Sequence, residues 1–133
     1  MIRAVFCVLL LAAAPASAQT RITPEDFLDR VLGKTVAFYA RESGNLVGVE
    51  QFLSRELSVW RGQENKCVYG EITTPDGQVC FLYRDLGREV PTCWWPFEVD
   101  GNLLVYHTNL SRGEVQVARF EDRGLGCPES PTS

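Results

Sequence analysis

From Lys34 to Glu121 the chain is cut by turn residues into eight short β-prone runs, and that rhythm leaves few folds open. The runs fall at about residues 34–40, 46–53, 57–61, 67–73, 78–84, 92–99, 103–108 and 114–121. Between them stand Ser43-Gly44-Asn45, Pro75-Asp76-Gly77, Asp100-Gly101 and Arg112-Gly113, each offering a residue that tolerates the positive φ of a tight hairpin. Connections this short have no room for the crossovers of a parallel sheet, so the spacing predicts an antiparallel meander. Eight strands in sequence close most simply into a small all-β, up-and-down barrel, lipocalin-like in plan, which leaves no edge unpaired. A β-sandwich is the alternative.

One short helix precedes the strands. Thr23 can cap it, Pro24 fits the first helical position, and Glu25 and Asp26 sit at the positive end of the dipole. Phe27, Leu28, Val31 and Leu32 fall on one face before Gly33, which predicts a helix over 24–32. A helix of under three turns is not stable alone, so that face must dock on the barrel.

The first eighteen residues have a different character. Met1-Ile2-Arg3 is a short positive start, Ala4 to Ala14 is an unbroken apolar run, and Ala16-Ser17-Ala18 is a small-residue cleavage site. This is the layout of a secretory signal peptide, with a mature domain over 19–133 in the periplasm or outside the cell. Cys7 would leave with the signal, and Cys67, Cys80, Cys93 and Cys127 would remain. Zinc sites favour close pairs such as C-x₂-C, and these wide spacings, in an oxidising compartment, argue two disulfides and no metal.

Register selects their pairing. A hairpin turning at Leu86-Gly87 sets Cys80 opposite Cys93. One turning at Asp76-Gly77 leaves Cys67 and Cys80 about six positions out of register, too far for a bridge that needs Cα atoms within ~7 Å. Cys80–Cys93 with Cys67–Cys127 is therefore expected, the latter pinning an irregular tail over 122–133. Cys67–Cys93 with Cys80–Cys127 is the fallback if the 85–91 connection is a longer loop.

Charge excludes several partners. Without Arg3 the mature segment carries twelve basic and seventeen acidic residues, and its Lys and Arg are not clustered. Such a chain has no electrostatic footprint for nucleic acid or anionic lipid. No apolar run after the signal approaches the ~20 residues of a membrane-spanning helix, so a soluble product is expected.

The runs Gly48-Val49-Glu50-Gln51-Phe52-Leu53, Val59-Trp60-Arg61, Cys67-Val68-Tyr69-Gly70, Val79-Cys80-Phe81-Leu82-Tyr83 and Cys93-Trp94 follow one another in an order that carries a resemblance. The chain resembles a family of small signal-bearing bacterial proteins of uncharacterised activity. The resemblance implies export and a compact β-fold; it implies no chemistry.

Catalytic motifs are absent. His107 is the sole histidine, and no G-x-S-x-G turn presents a nucleophile beside it, so it reads as a hydrogen-bonded structural residue and the protein as no enzyme. Glu50, Glu71 and Glu98 are mid-strand acids, of which two facing one cavity could form an acid–base pair; solvent-facing carboxylates are the plainer reading. Glu50, Trp60, Arg61 and Glu71 form the candidate binding set, since an Arg beside a Trp can stack on a planar or acidic ligand. Trp94 and Trp95 are neighbours on one strand and must face opposite ways. One therefore lies outside, covered by the helix or the tail, or free as a contact patch.

No cofactor is indicated. Thirteen aromatics in the mature segment favour a filled interior, and hence an exported protein that acts by protein–protein contact, in the envelope or as an inhibitor. An open interior lined by a few convergent polar groups would favour a small-ligand barrel instead.

Overall fold

A computed structural model describes residue 14 and residues 18–131; the expected signal segment lies almost wholly outside them. The chain runs β1 (Thr20–Arg21), α1 (Pro24–Val31), β2 (Thr35–Ala40), β3 (Leu46–Phe52), β4 (Leu57–Arg61), β5 (Val68–Thr73), β6 (Val79–Leu82), β7 (Thr92–Val99), β8 (Asn102–His107) and β9 (Val115–Glu121). Each strand from β2 to β9 pairs antiparallel with the next, and β9 returns to β2. The result is a closed eight-stranded up-and-down barrel, as the spacing predicts. Asp76 and Gly77 (φ 51° and 74°) and Asp100 and Gly101 (φ 50° and 79°) supply the left-handed turns that tight hairpins demand.

The two barrel ends differ. The turns at 53–56, 74–78 and 100–101 share one end with α1, and the longer connections at 41–45, 62–67, 83–91 and 108–114 share the other. Thr23 caps the helix by accepting from the Asp26 N–H at 3.1 Å. Phe27, Leu28 and Val31 are buried and join the inward Val36, Phe52, Ile72 and Leu103. Phe27 meets Phe52 edge-on at 6.0 Å. Arg30 bridges Asp26 on its own helix and Glu98 on β7, so the plug is also fastened electrostatically. The helix therefore closes one end of the barrel and does not cover its outer wall.

The outer apolar surface is covered differently. β1, too short to carry any periodicity, pairs with the lower half of β7 beside β6. Its Arg21 lies 5.2 Å from the outward Trp95 ring, and Phe97 and Tyr106 pack together on the same face with tilted rings 4.7 Å apart. Over β3–β5 the cover is the tail. It is pinned by Cys67–Cys127, and also by the Leu125 N–H donating to Gln51 Oε1 at 3.0 Å and Tyr69 O–H donating to the Pro128 carbonyl at 2.6 Å. Cys80 and Cys93 face each other across β6 and β7 and are bridged, so both disulfides take the pairing that register demands.

Candidate functional site

Inward side chains leave space at the open end. A cavity of about 190 Å³ lies inside the barrel, with Phe27 at its floor and Leu86, Arg88, Arg112 and Glu114 around its mouth. The interior is therefore not filled, contrary to the expectation from aromatic content. The aromatics that were to fill it form its walls: Phe38, Trp60, Phe81, Tyr83 and Trp94.

Two glycines make that arrangement possible. Gly48 lies on β3 beside Trp60, and a Cβ there would fall 2.1 Å from the indole ring. A Cβ on Gly70 would lie 2.8 Å from the Tyr83 ring and 3.0 Å from the Ser58 hydroxyl. In each case the missing side chain is the space that a wall ring occupies.

Glu50 is the chemical centre. It faces inward from β3, opposite Trp60 on β4, and is only 2 % exposed. Tyr83 donates its phenol proton to Oε2 at 2.9 Å. Oε1 is buried and has no partner, and no Lys or Arg among the described residues forms an ion pair with this carboxylate. Burial pushes the Glu50 carboxyl up to about 7, against the opposing pull of the Ser58 and Tyr83 hydroxyls. Burial and the adjacent Glu50 charge hold the Tyr83 phenol well above its ordinary range, so it remains a donor.

His107 stands on the facing wall, edge-on to Trp94 at 4.8 Å. Its Nδ1 accepts from the Asn109 N–H at 3.0 Å, which leaves the proton of the neutral ring on Nε2. Burial, then the nearby Arg112, lowers its pKa. It is thus a hydrogen-bonded structural histidine that also lines the cavity.

The candidate binding set divides. Glu50, Trp60 and Trp94 meet in the cup. Arg61 points outward, where Nη2 lies 3.4 Å and 3.5 Å from the sulfurs of Cys67 and Cys127, because its position alternates with that of Trp60. Glu71 is exposed and pairs with Arg84 at 3.1 Å, and Trp95 lies on the outer wall under Arg21. Glu98 is taken by Arg30 at the plugged end, so neither Glu71 nor Glu98 faces Glu50, and the other carboxylate of the cavity lining is Glu114 at the mouth.

Sequence reasoning missed Tyr83, Gly48 and Gly70. Tyr83 shares its parity with Val79 and Phe81, and that alternation is the signal that could have placed it inside.

No protein-family model, curated protein or solved structure matches the chain. Among the described residues no cluster of His, Cys, Asp or Glu is arranged to hold a metal ion, and no helix is long and apolar enough to cross a membrane.

Proposed function

We propose that this is an exported, disulfide-stapled barrel that binds one small molecule in its open cup. The observation that carries the reading is the cup: about 190 Å³ walled by aromatic rings, closed below by α1, with a buried carboxylate oxygen left unpartnered. Larger side chains in that space and an apolar residue in place of Glu50 would stabilise a barrel that served only as a scaffold. Binding is favoured over catalysis because Glu71 and Glu98 lie outside the cup, and Glu114, the other acid of its lining, stands at the mouth beside Arg112 and accepts from Gln116. Native mass spectrometry of protein released undenatured from its own cells tests this. One small molecule per chain is expected, lost in a Gly70→Leu variant whose side chain displaces the Tyr83 ring from its place in the cup wall. A ligand retained equally by that variant refutes the site.

Export rests on the charged start, the apolar run and the Ala16-Ser17-Ala18 site, and the two disulfides fit the periplasm or the extracellular space. N-terminal sequencing is expected to begin at Gln19, and a product that keeps Met1 in the cytoplasm refutes it. A second reading, contact with a protein partner, is favoured by the rim. Leu86, Val90 and Leu110 are 46 %, 74 % and 73 % exposed on the two long connections at the open end. Replacing Val90 and Leu110, which lie outside the cavity lining, by Ser is expected to abolish partner capture under that reading and to leave small-molecule binding intact.

A further inference from the structure

The contents of the cup narrow the class of ligand. A buried carboxylate is costly unless it is paired, and here only half of its hydrogen-bonding capacity is used. Tyr83 serves Oε2, while Oε1 is enclosed without a hydrogen-bond partner, the nearby Ser58 hydroxyl donating to the Gly70 carbonyl at 3.5 Å. The barrel supplies no cation of its own to that oxygen: Arg61 faces outward to the tail disulfide, Arg30 is committed to Asp26 and Glu98, and Arg88 and Arg112 stand at the mouth. Around the carboxylate the walls are π-faces. Trp60 lies opposite Glu50, and Phe81 and Tyr83 stack in parallel at 6.0 Å. Aromatic faces attract a cation, most strongly where water is excluded.

Resting on the ligand-cup reading, we infer that the cavity takes a small organic amine, bound as its ammonium ion, with an N–H donated to Glu50 Oε1 and its apolar body against Trp60, Phe81 and Trp94. The ammonium group supplies both things that Oε1 lacks, a hydrogen-bond donor and an ion-pairing cation. A cavity of about 190 Å³ is close to the ~150 Å³ apolar cavity that holds one benzene, which suits a single ring bearing a short aminoalkyl chain. The titratable groups facing the site are Tyr83 beside the carboxylate, His107 on the opposite wall, and Arg88, Arg112 and Glu114 at the rim. Burial raises the Glu50 pKa to about 7 and lowers that of His107. Where Glu50 is protonated in the free protein, binding displaces that proton to solvent as the ammonium takes its place.

The probes are 2-phenylethylamine, 2-phenylethanol and 3-phenylpropionate, titrated by calorimetry at pH 6 and pH 8 in buffers of different ionisation heat. The amine is expected to bind at least tenfold more tightly than the alcohol, to release a proton at pH 6, and to release little at pH 8. Glu50→Gln should cost the amine tenfold or more and remove its advantage over the alcohol; the wild-type comparisons stand whether or not that variant folds. If the alcohol matches the amine, or the acid binds more tightly with proton uptake, the amine inference fails and the cup survives. If none of the three binds, the cup fails with it.

Discussion

Glu50 should make the empty protein lose stability as the solution becomes alkaline, against the usual trend for carboxylates. Its folded pKa is about 7, above the 4.5 of an ordinary glutamate carboxyl. The folded state therefore holds a proton that the unfolded state has released between those two values. For a group raised in this way the stabilisation is fully present below pH 4.5 and is lost as pH rises through 7. At 1.36 kcal/mol per unit, the span corresponds to about 3 kcal/mol, a large part of the stability of a small domain. His107 acts with the opposite sign: its lowered pKa gives stability present above 6.5 and lost on acidification. The assay must therefore be a difference between two proteins. Urea unfolding of wild type and Glu50→Gln at pH 5, 6, 7 and 8 is expected to give a difference curve in which the wild type loses about 2.5 kcal/mol relative to the variant across that range. The steepest part lies between pH 5 and 7, and both proteins share the same His107 background. A flat difference curve, or one that rises with pH, would refute a carboxylate that is buried without a cation.

Three further perturbations test the parts of the fold that build the cup. Gly48→Val places a β-branched side chain where the Trp60 ring lies; about 1–3 kcal/mol of destabilisation and a shifted indole fluorescence are expected, and a variant with wild-type stability and emission would contradict the packing. Removing Cys67 and Cys127 together opens a loop with a sequence separation of 60 and should cost about 4 kcal/mol, against about 3 kcal/mol for the shorter Cys80–Cys93 loop. Denaturant midpoints of the two double variants measure this, and peptide mapping that links Cys67 to Cys93 would overturn the pairing itself. Phe27→Ala empties the floor of the cup and should lower stability by about 3–5 kcal/mol by guanidinium unfolding; a cost near that of a surface substitution would mean that α1 does not plug the barrel.

The strand plan was legible because each hairpin carries its own instruction. Asp76-Gly77 takes the left-handed conformation its turn needs and sets the β5–β6 register that keeps Cys80 away from Cys67, while the 83–91 connection, with Gly87 at φ 67°, sets Cys80 against Cys93. Local chemistry fixes both facts. β1 was not legible for the same reason in reverse, since two residues carry no period and their pairing with β7 comes from the far end of the chain. The helix was readable as a helix from its cap and its apolar face, but not as a plug. Which surface it meets follows from Gly33 and Lys34 turning directly into β2 at the end opposite the long connections, a property of the closed barrel.

The site was half legible, and the division follows parity. Glu50 and Trp60 could be named as a pair but not separated from Arg61 and Glu71, because the runs containing them are apolar on both faces and alternation alone assigned no inside. Closure resolves it: once β9 pairs with β2, residues opposite Phe38 and Phe52 must face inward, and Arg61 must face the tail. The same step explains why aromatic content pointed to a filled interior when the interior is hollow. Aromatic residues fill a barrel if their rings converge on its axis, but they line it if the strands leave them room to lie back. Gly48 and Gly70 are that room. The composition of this chain would fit either arrangement; the positions of two glycines opposite two large rings decide between them, and they leave the Glu50 carboxylate facing the space so created.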